Sequence, residues 1–323
     1  MKSDNTLLRQ LYLTGIIPVI KVDQARDAVP LCRALAKGGL PVAEITFRTK
    51  AAEDAIRLVH SELPEVLPGA GTVLSTDMAD RAWAAGAKFI VTPGMNEKVV
   101  RHCLEKGYSV LPGCSCASDI ALALDLGIST VKFFPAEPLG GLGMISALAG
   151  PYAGVRFVPT GGINPQNIAA YLNHPKVVAC GGSWMVPEAA VKAGDWAQIE
   201  ELAKEAVRTM LGFEIRHIGI NCEDADAAKD AAEKLSLLTG WPMQKDDAKK
   251  VYVGDTFEVM KSMNRGNYGH IALGCNNVER AMAVLEERGF RFDLETLQKE
   301  NGRPWFVYLA DTFAGFSVHL IRK

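Results

Sequence analysis

The sequence has no long apolar run and no cysteine pattern of the zinc-binding kind. No stretch of its 323 residues reaches the roughly 18 consecutive apolar residues that a membrane-spanning helix needs. Its first fifteen residues lack the apolar core and small-residue cleavage site of a secretory signal. The seven cysteines are odd in number and include no pair of CxxC units. We therefore expect a cytoplasmic protein whose thiols are reduced.

An excess of charge of either sign is also missing. The chain has 35 lysines and arginines against 37 aspartates and glutamates, a formal net charge of -2, which offers no basic footprint for a nucleic acid. With 48% hydrophobic and 22% charged residues, the composition is that of an ordinary globular protein. The length exceeds one average domain, so we expect two domains and neither nucleic acid nor membrane among the partners.

Short apolar, β-branched runs alternate with amphipathic helical segments between Gly15 and Ser183, which is typical of βα units around a parallel sheet. Eight such strands favour a closed (β/α)8 TIM barrel over an open sheet. A terminal helix follows, so we predict a barrel over residues 1–212 and a smaller domain over residues 213–323. The strands are predicted in GIIPVIKV from Gly15, VAEITF from Val42, VLPGAGTV from Val66, FIVTPG from Phe89, SVLPGC from Ser109, TVKFFPA from Thr130, RFVPTGG from Arg156 and VVACGGS from Val177.

The second domain contains an internal repeat. HIGINCEDADAAKDAAEKL, from His217, has the same pattern as HIALGCNNVERAMAVLEERG, from His270. Each segment starts with a strand that opens on histidine and continues through a polar turn into an amphipathic helix. This duplication predicts an α+β domain of two βαβββ modules.

The carboxyl ends of the predicted barrel strands carry polar residues, and this is the end where parallel barrels place their chemistry. Lys132 lies between apolar neighbours in its strand, where an ammonium is costly unless it is functional or paired. Loss of water and the nearby charge of Arg48 favour the neutral amine, which can attack a ketone and form an iminium. Glu44 is the only carboxylate that the pattern places inside the rim, so it is the expected proton carrier. A plain buried ion pair between Lys132 and Glu44 is the alternative.

Two glycine-rich turns follow the seventh and eighth predicted strands, in PTGGINPQN and CGGSWM. Parallel barrels commonly bind phosphate through backbone N–H groups at this position. Gly161, Gly162 and Ser183 are the expected donors, although glycines also serve tight turns. Arg48, after the second strand, suits a two-point grip on the carboxylate of an α-keto acid.

Seven motifs in order, EITFRT, GAGTV, VTPG, LPGC, VKFFPAE, PTGGI and GGSWM, resemble the family of 2-keto-3-deoxy-6-phosphogluconate (KDPG) and 4-hydroxy-2-oxoglutarate (KHG) aldolases over the first two thirds of the chain. The resemblance implies a cofactor-free class I aldolase that cleaves KDPG to pyruvate and glyceraldehyde 3-phosphate, and also KHG to pyruvate and glyoxylate. It further implies a homotrimer. The implied roles are Lys132 as the Schiff-base lysine, Glu44 as the acid and base, Arg48 and Thr72 at the pyruvate carboxylate, Pro93 and Phe134 as pocket walls, Thr160 at the hydroxyls, and Gly161, Gly162 and Ser183 at the phosphate.

The repeat in the second domain resembles the vicinal oxygen chelate, or glyoxalase-like, fold. The resemblance implies a divalent metal held by His217, Glu258, His270 and His319. The last of these positions is more often a glutamate in that family, so His319 is a departure. Three alternatives stay open for this domain: a metal-free role in assembly or regulation, metabolite sensing, and a second, metal-dependent activity that would make the protein bifunctional.

Overall fold

The computed structural model describes residues 2–323, with side chains from Thr6 onward. The chain divides into two compact units, the first ending at Met210 and the second spanning Leu211–Lys323. Within the described residues, no helix is both long and apolar enough to cross a membrane.

The first unit alternates strands and helices along its whole length. Its strands are β1 Ile16–Ile20, β2 Val42–Thr46, β3 Leu67–Gly71, β4 Phe89–Val91, β5 Val110–Leu111, β6 Gly113–Cys114, β7 Thr130–Phe133, β8 Arg156–Pro159 and β9 Cys180–Gly182. Its helices are α1 Lys2–Thr14, α2 Ala28–Lys37, α3 Ala52–Glu62, α4 Thr76–Ala84, α5 Glu97–Glu105, α6 Ala117–Asp125, α7 Gly141–Ala149, α8 Ile168–Asn173, α9 Glu188–Ala193 and α10 Trp196–Leu211.

All strand pairs of the first unit are parallel. Six strands form one sheet in the order β5-β4-β3-β2-β1-β9, and β6-β7-β8 form a second. Pro112, which has no N–H to donate, separates β5 from β6. Parallel bridges from Phe157 to Val177 and from Thr160 to Gly181 connect the β8 side to the β9 side. The strands therefore curl round, and the prediction of a parallel sheet with intervening helices is confirmed.

Local sequence accounts for the helices that pack outside these strands. Asn96 caps α5 by accepting a hydrogen bond from the backbone N–H of Val99 at 3.2 Å. Helix α3 buries Ala55, Ile56 and Val59, which is the stripe that its helical period predicts. Full burial of a side chain such as Ile56 or Val59 stabilises the fold by about 1.5–3 kcal/mol.

The second unit is dominated by one sheet of eight strands. Its elements follow the order β-α-β-β-β twice: β10 Glu214–Asn221, α11 Ala225–Thr239, β11 Met243–Gln244, β12 Lys250–Val253 and β13 Phe257–Met260, then β14 Gly269–Cys275, α12 Val278–Glu287, β15 Phe292–Glu300, β16 Arg303–Phe313 and β17 Phe316–Arg322. The spatial order is β11-β12-β13-β10-β14-β17-β16-β15. The first and last strands of each half thus lie side by side at the centre.

One face of this sheet packs against helix α11. Ala228 and Ala232 of the helix form a core with Val251, Val253 and Val259. Because side chains alternate between the two faces of a strand, residues one position away in β12 and β13 face the opposite side. That opposite face carries the polar residues described below.

Candidate active site and a second polar cluster

Lys132 and Glu44 form a buried ion pair inside the first unit. Lys132 Nζ donates to Glu44 Oε1 at 2.9 Å, and the two residues are only 6% and 4% exposed. They are 88 residues apart in the chain, on β7 and β2 of the two different sheets. The curling of the strands is what brings an amine and a carboxylate together in a place with little water.

The glycines of β3 leave room for the carboxylate. A Cβ atom on Gly71 would overlap Oε1 of Glu44. Gly71 lies on the strand next to β2, where it pairs in register with Thr46. The GAGTV motif therefore needs glycine at Gly71, because any larger residue there would displace the Glu44 side chain.

The ring of Phe134 lies beside the amine, with Lys132 Nζ 5.4 Å from the ring centroid. Half-buried Pro93 follows β4, and a Cβ on Gly113 of β6 would overlap the Pro93 carbonyl group. Both of the residues predicted as walls therefore lie at the ends of strands, and Phe134 contacts the lysine.

Arg48 and Ser183 line a single cavity of about 500 Å³. Strand β1 pairs with β2 on one side and β9 on the other, so the residues that follow β2 and β9 come close together. Arg48 Nε donates to Thr46 Oγ1 at 3.2 Å, which holds the guanidinium over the end of β2. The cavity thus brings together the residues predicted for a carboxylate and for a phosphate, although Lys132 and Glu44 are not part of its lining.

Two threonines at strand ends have unusual environments. Thr72 has a φ of 58°, a left-handed conformation that costs a β-branched residue about 1–3 kcal/mol. Thr160 is 6% exposed, and its Oγ1 has no hydrogen-bond partner among the described residues. Backbone strain and unsatisfied buried hydroxyls cluster at functional sites, and both residues belong to the predicted set.

The turn after β8 is built from Gly161 and Gly162, with φ values of 99° and 83°. The side-chain amides of Asn164 and Asn167 donate to the Gly162 carbonyl at 3.2 and 3.0 Å. These two hydrogen bonds hold the Gly162 carbonyl in place. The asparagines explain the INPQN part of the motif, because they set the shape of the glycine turn.

A second polar cluster lies on the face of the eight-stranded sheet opposite α11, on its four central strands. His217 Nε2 and His270 Nε2 are 3.1 Å apart, and Glu258 Oε2 lies 3.2 Å from the first and 2.9 Å from the second. One ring nitrogen of His319 joins them, so that the ligand atoms of the three histidines lie within 4.8 Å of one another. The structure therefore groups the three predicted histidines and places Glu258 against two of them, His217 and His270.

The register of the strands explains this convergence. Gly219 of β10 pairs with Glu258 of β13 on one side and with His270 of β14 on the other, and His319 pairs with Ala272 of β14. Residues paired in register share a face of the sheet. A Cβ on Gly219 would overlap the ring of His270, so the space at the cluster depends on this glycine.

The electrostatics of the cluster favour an ionised Glu258 and an uncharged His319. Burial opposes the ionisation of Glu258, but hydrogen bonds from His217, His270 and Lys250 outweigh it and hold the pKa of that carboxyl far below its usual value. Burial, together with the neighbouring His270 and His217, lowers the pKa of His319 to about 3. The imidazole of His319 is therefore uncharged at neutral pH.

These residues fit a divalent metal. His217 Nε2, His270 Nε2 and Glu258 Oε2 are 2.9–3.2 Å from one another, so a proton or a cation must lie between them. Two ligand atoms that bind one metal at about 2.0–2.2 Å are separated by roughly this distance. The Nδ1 atoms of His270 and His319, which are 4% and 3% exposed, have no partner among the described residues. Imidazole and carboxylate are the donors of zinc-type sites.

Sequence reasoning missed several charged residues. Lys21 and Lys192 line the same cavity as Arg48, and Lys250 Nζ binds Glu258 Oε1 at 2.5 Å. Lys21 directly follows β1, so attention to the carboxyl ends of strands could have found it. Lys250 carries no such signal, because it meets Glu258 only through the pairing of β12 with β13.

Comparison with known proteins identifies the first unit. The family model described as KDPG and KHG aldolase matches residues 8–202. The chain is 51% identical over 203 residues to the 2-dehydro-3-deoxy-phosphogluconate aldolase of Treponema pallidum, an alignment that covers 63% of this chain and 97% of that protein.

Two crystal structures resemble the same part of the chain. The KDPG aldolase of Zymomonas mobilis with 3-phosphoglycerate is 42% identical, with a TM-score of 0.59 and coverage of 64% of this chain and 95% of that one. The KDPG aldolase of Legionella pneumophila, with pyruvate captured as a covalent carbinolamine, is 38% identical, with a TM-score of 0.59 and coverage of 60% and 95%. The chain therefore belongs to the KDPG and KHG aldolase family and is a carbon–carbon lyase, as its motifs indicate.

Proposed function

We propose that residues 1–212 form a closed (β/α)8 barrel that cleaves KDPG to pyruvate and glyceraldehyde 3-phosphate through a Schiff base on Lys132. The observation that carries the proposal is the buried contact of 2.9 Å between Lys132 Nζ and Glu44 Oε1. The Legionella relative supports it, because that protein holds pyruvate as a carbinolamine.

The amine begins the reaction. Glu44 takes a proton from the Lys132 ammonium, the free amine attacks the C2 carbonyl carbon of the substrate, and loss of water from the carbinolamine leaves an iminium. Glu44 is in hydrogen-bond contact with that nitrogen, so it carries the protons that this dehydration requires. The iminium is the electron sink for the next step.

Cleavage follows at the C3–C4 bond. Glu44 takes the proton of the C4 hydroxyl, the aldehyde leaves, and the electron pair of the broken bond forms an enamine with the iminium. Protonation at C3 and hydrolysis then release pyruvate and the free lysine. A single carboxylate can serve every proton transfer because it alternates between its acid and base forms.

The remaining predicted residues hold the substrate. Arg48 and Thr72 bind the carboxylate, Thr160 Oγ1 gains its missing hydrogen bond from a substrate hydroxyl, and Pro93 and Phe134 close the apolar side. Gly161, Gly162 and Ser183 bind the phosphate. The Zymomonas relative, which holds 3-phosphoglycerate, supports a phosphate site. KHG cleavage is the second candidate activity, because the matching family includes both enzymes.

Borohydride trapping tests the Schiff base. The full-length protein is incubated with pyruvate and borohydride and then measured by intact-mass spectrometry, alongside Lys132→Ala and the exposed-lysine control Lys88→Ala. We expect a pyruvate-sized adduct in the wild type and in Lys88→Ala, and none in Lys132→Ala. An adduct that survives in Lys132→Ala would disprove the assignment.

Assembly as a homotrimer and a cytoplasmic location remain predictions.

We also propose that residues 213–323 adopt the vicinal oxygen chelate fold and bind one divalent metal through His217, Glu258, His270 and His319. Support comes from the space left by Gly219, from the grouping of the three histidines and from the contacts of Glu258 with His217 and His270. A metal bound there would polarise a coordinated oxygen as a Lewis acid. Elemental analysis of wild type and His270→Ala tests the site: one equivalent of metal that disappears in the variant supports it.

A further inference from the structure

His319 gives the cluster an unusual composition. Three of its four donors are imidazoles, and Glu258 is the single carboxylate. We propose that this cluster selects an imidazole-preferring transition metal, of the zinc, cobalt and nickel kind, over magnesium and calcium, and that His319 and Lys250 set this selectivity. The inference rests on the metal site proposed above and concerns which metal that site accepts.

The first argument is the chemistry of the donors. Magnesium and calcium take oxygen ligands, and calcium takes six to eight of them. Imidazole suits zinc, copper, iron and nickel. The cluster offers three imidazole nitrogens and one carboxylate. Magnesium or calcium would therefore find in it only the carboxylate of Glu258 as an oxygen ligand.

The second argument is charge. The three imidazoles contribute no charge when they act as ligands, and Glu258 contributes one negative charge. The ammonium of Lys250, 2.5 Å from Glu258 Oε1, offsets that charge. Sites for hard cations raise their affinity through the number of carboxylates. This cluster has almost no net negative charge, so its affinity depends on the strength of the metal–nitrogen bonds.

The third argument is the orientation of Glu258. Lys250 holds Oε1, whereas Oε2 faces His217 at 3.2 Å and His270 at 2.9 Å. Glu258 can therefore offer a single oxygen to a metal while Lys250 is in place. Calcium sites commonly use a bidentate carboxylate, which this hydrogen bond prevents. Lys250 is thus a positioning residue for Glu258.

The test measures metal affinity on the full chain. Chelator-stripped wild type, His319→Glu, Lys250→Gln and the control Lys249→Gln are titrated with Zn²⁺, Co²⁺, Mn²⁺ and Mg²⁺ in competition with a chromogenic chelator, and bound metal is counted by elemental analysis. Lys249 is the exposed neighbour of Lys250, so its variant controls for the loss of a surface charge. Circular dichroism establishes that each variant is folded.

In the wild type and Lys249→Gln we expect one Zn²⁺ or Co²⁺ with a dissociation constant at least about 10³-fold below that of Mg²⁺. His319→Glu and Lys250→Gln should each lower this ratio by about 10-fold or more. If His319→Glu fails to fold, Lys250→Gln and the wild-type ratio still decide the matter.

Comparable affinities of the wild type for Mg²⁺ and Zn²⁺ would overturn the inference and leave the metal site standing. A ratio unchanged in both variants would overturn the roles of His319 and Lys250. Absence of any bound metal in the wild type would remove the metal site itself, and the inference with it.

Discussion

Removing the charge of Glu44 should destabilise the first unit, because it leaves the ammonium of Lys132 buried without its partner. At 2.9 Å and an effective dielectric constant of about 20, the attraction between the two charges is about 6 kcal/mol. The cost of taking both charges out of water offsets much of this. Breaking a buried pair from one side nevertheless costs about 3–5 kcal/mol. We therefore expect Glu44→Gln to lower the free energy of unfolding by about that amount.

The matched experiment is a double-mutant cycle. Glu44→Gln, Lys132→Met and the double variant are unfolded in urea and followed by circular dichroism, and their lyase activity is measured as pyruvate release. The double variant should recover most of the stability, since two uncharged side chains of similar size replace a pair that was costly to bury. It should remain inactive, because the proposed nucleophile, Lys132, is gone. A loss below about 1 kcal/mol in Glu44→Gln would refute the reasoning, since it would mean that the two groups are not both charged.

Three further variants test other features. Gly71→Ala should lower kcat by about 10²-fold, because its methyl group displaces the Glu44 carboxylate; an unchanged kcat in the pyruvate-release assay would contradict this. Thr160→Val should raise KM for KDPG while the melting temperature stays the same, because Oγ1 has no partner to lose among the described residues; a large loss of stability would argue for a structural hydroxyl. Asp224→Ala should destabilise the second unit by about 1 kcal/mol, because Asp224 caps α11 through the N–H of Ala227 at 2.8 Å. Urea unfolding of that variant checks the value, and no measurable change would show that the cap is not stabilising.

Much of the fold of the first unit could be predicted because its strands have a simple local signal. The segment VAEITF is largely apolar and is bounded by polar or glycine-rich segments. Strand β2, Val42–Thr46, lies within it. The break between β5 and β6 could not be predicted as readily. Pro112 interrupts the hydrogen bonding between strands at this point, because it has no N–H to donate. Whether a proline breaks a strand depends on whether a neighbouring strand needs that N–H, which the sequence does not show.

The site residues divide in the same way. Lys132 and Glu44 were predictable because ionisable residues are rare inside barrel strands, and their contact confirms that the two positions meet. Lys250 and Gly219 were not predictable, because their importance comes from pairing between strands that are distant in the chain. A sequence records the alternation of faces within one strand, but the register between strands is fixed by packing and turns.

The separation of Glu44 and Lys132 on two different sheets has a consequence for synthesis. When β1 to β5 have left the ribosome, the nascent chain holds Glu44 and a set of hydrophobic strands but not Lys132, whose amine contacts Glu44 in the folded protein. Glu44 therefore lacks its counter-ion until β7 has been synthesised. Lyase activity should therefore not appear before β7 is made, and in a cell-free translation reaction its onset would report when β2 and β7 bring Glu44 and Lys132 together.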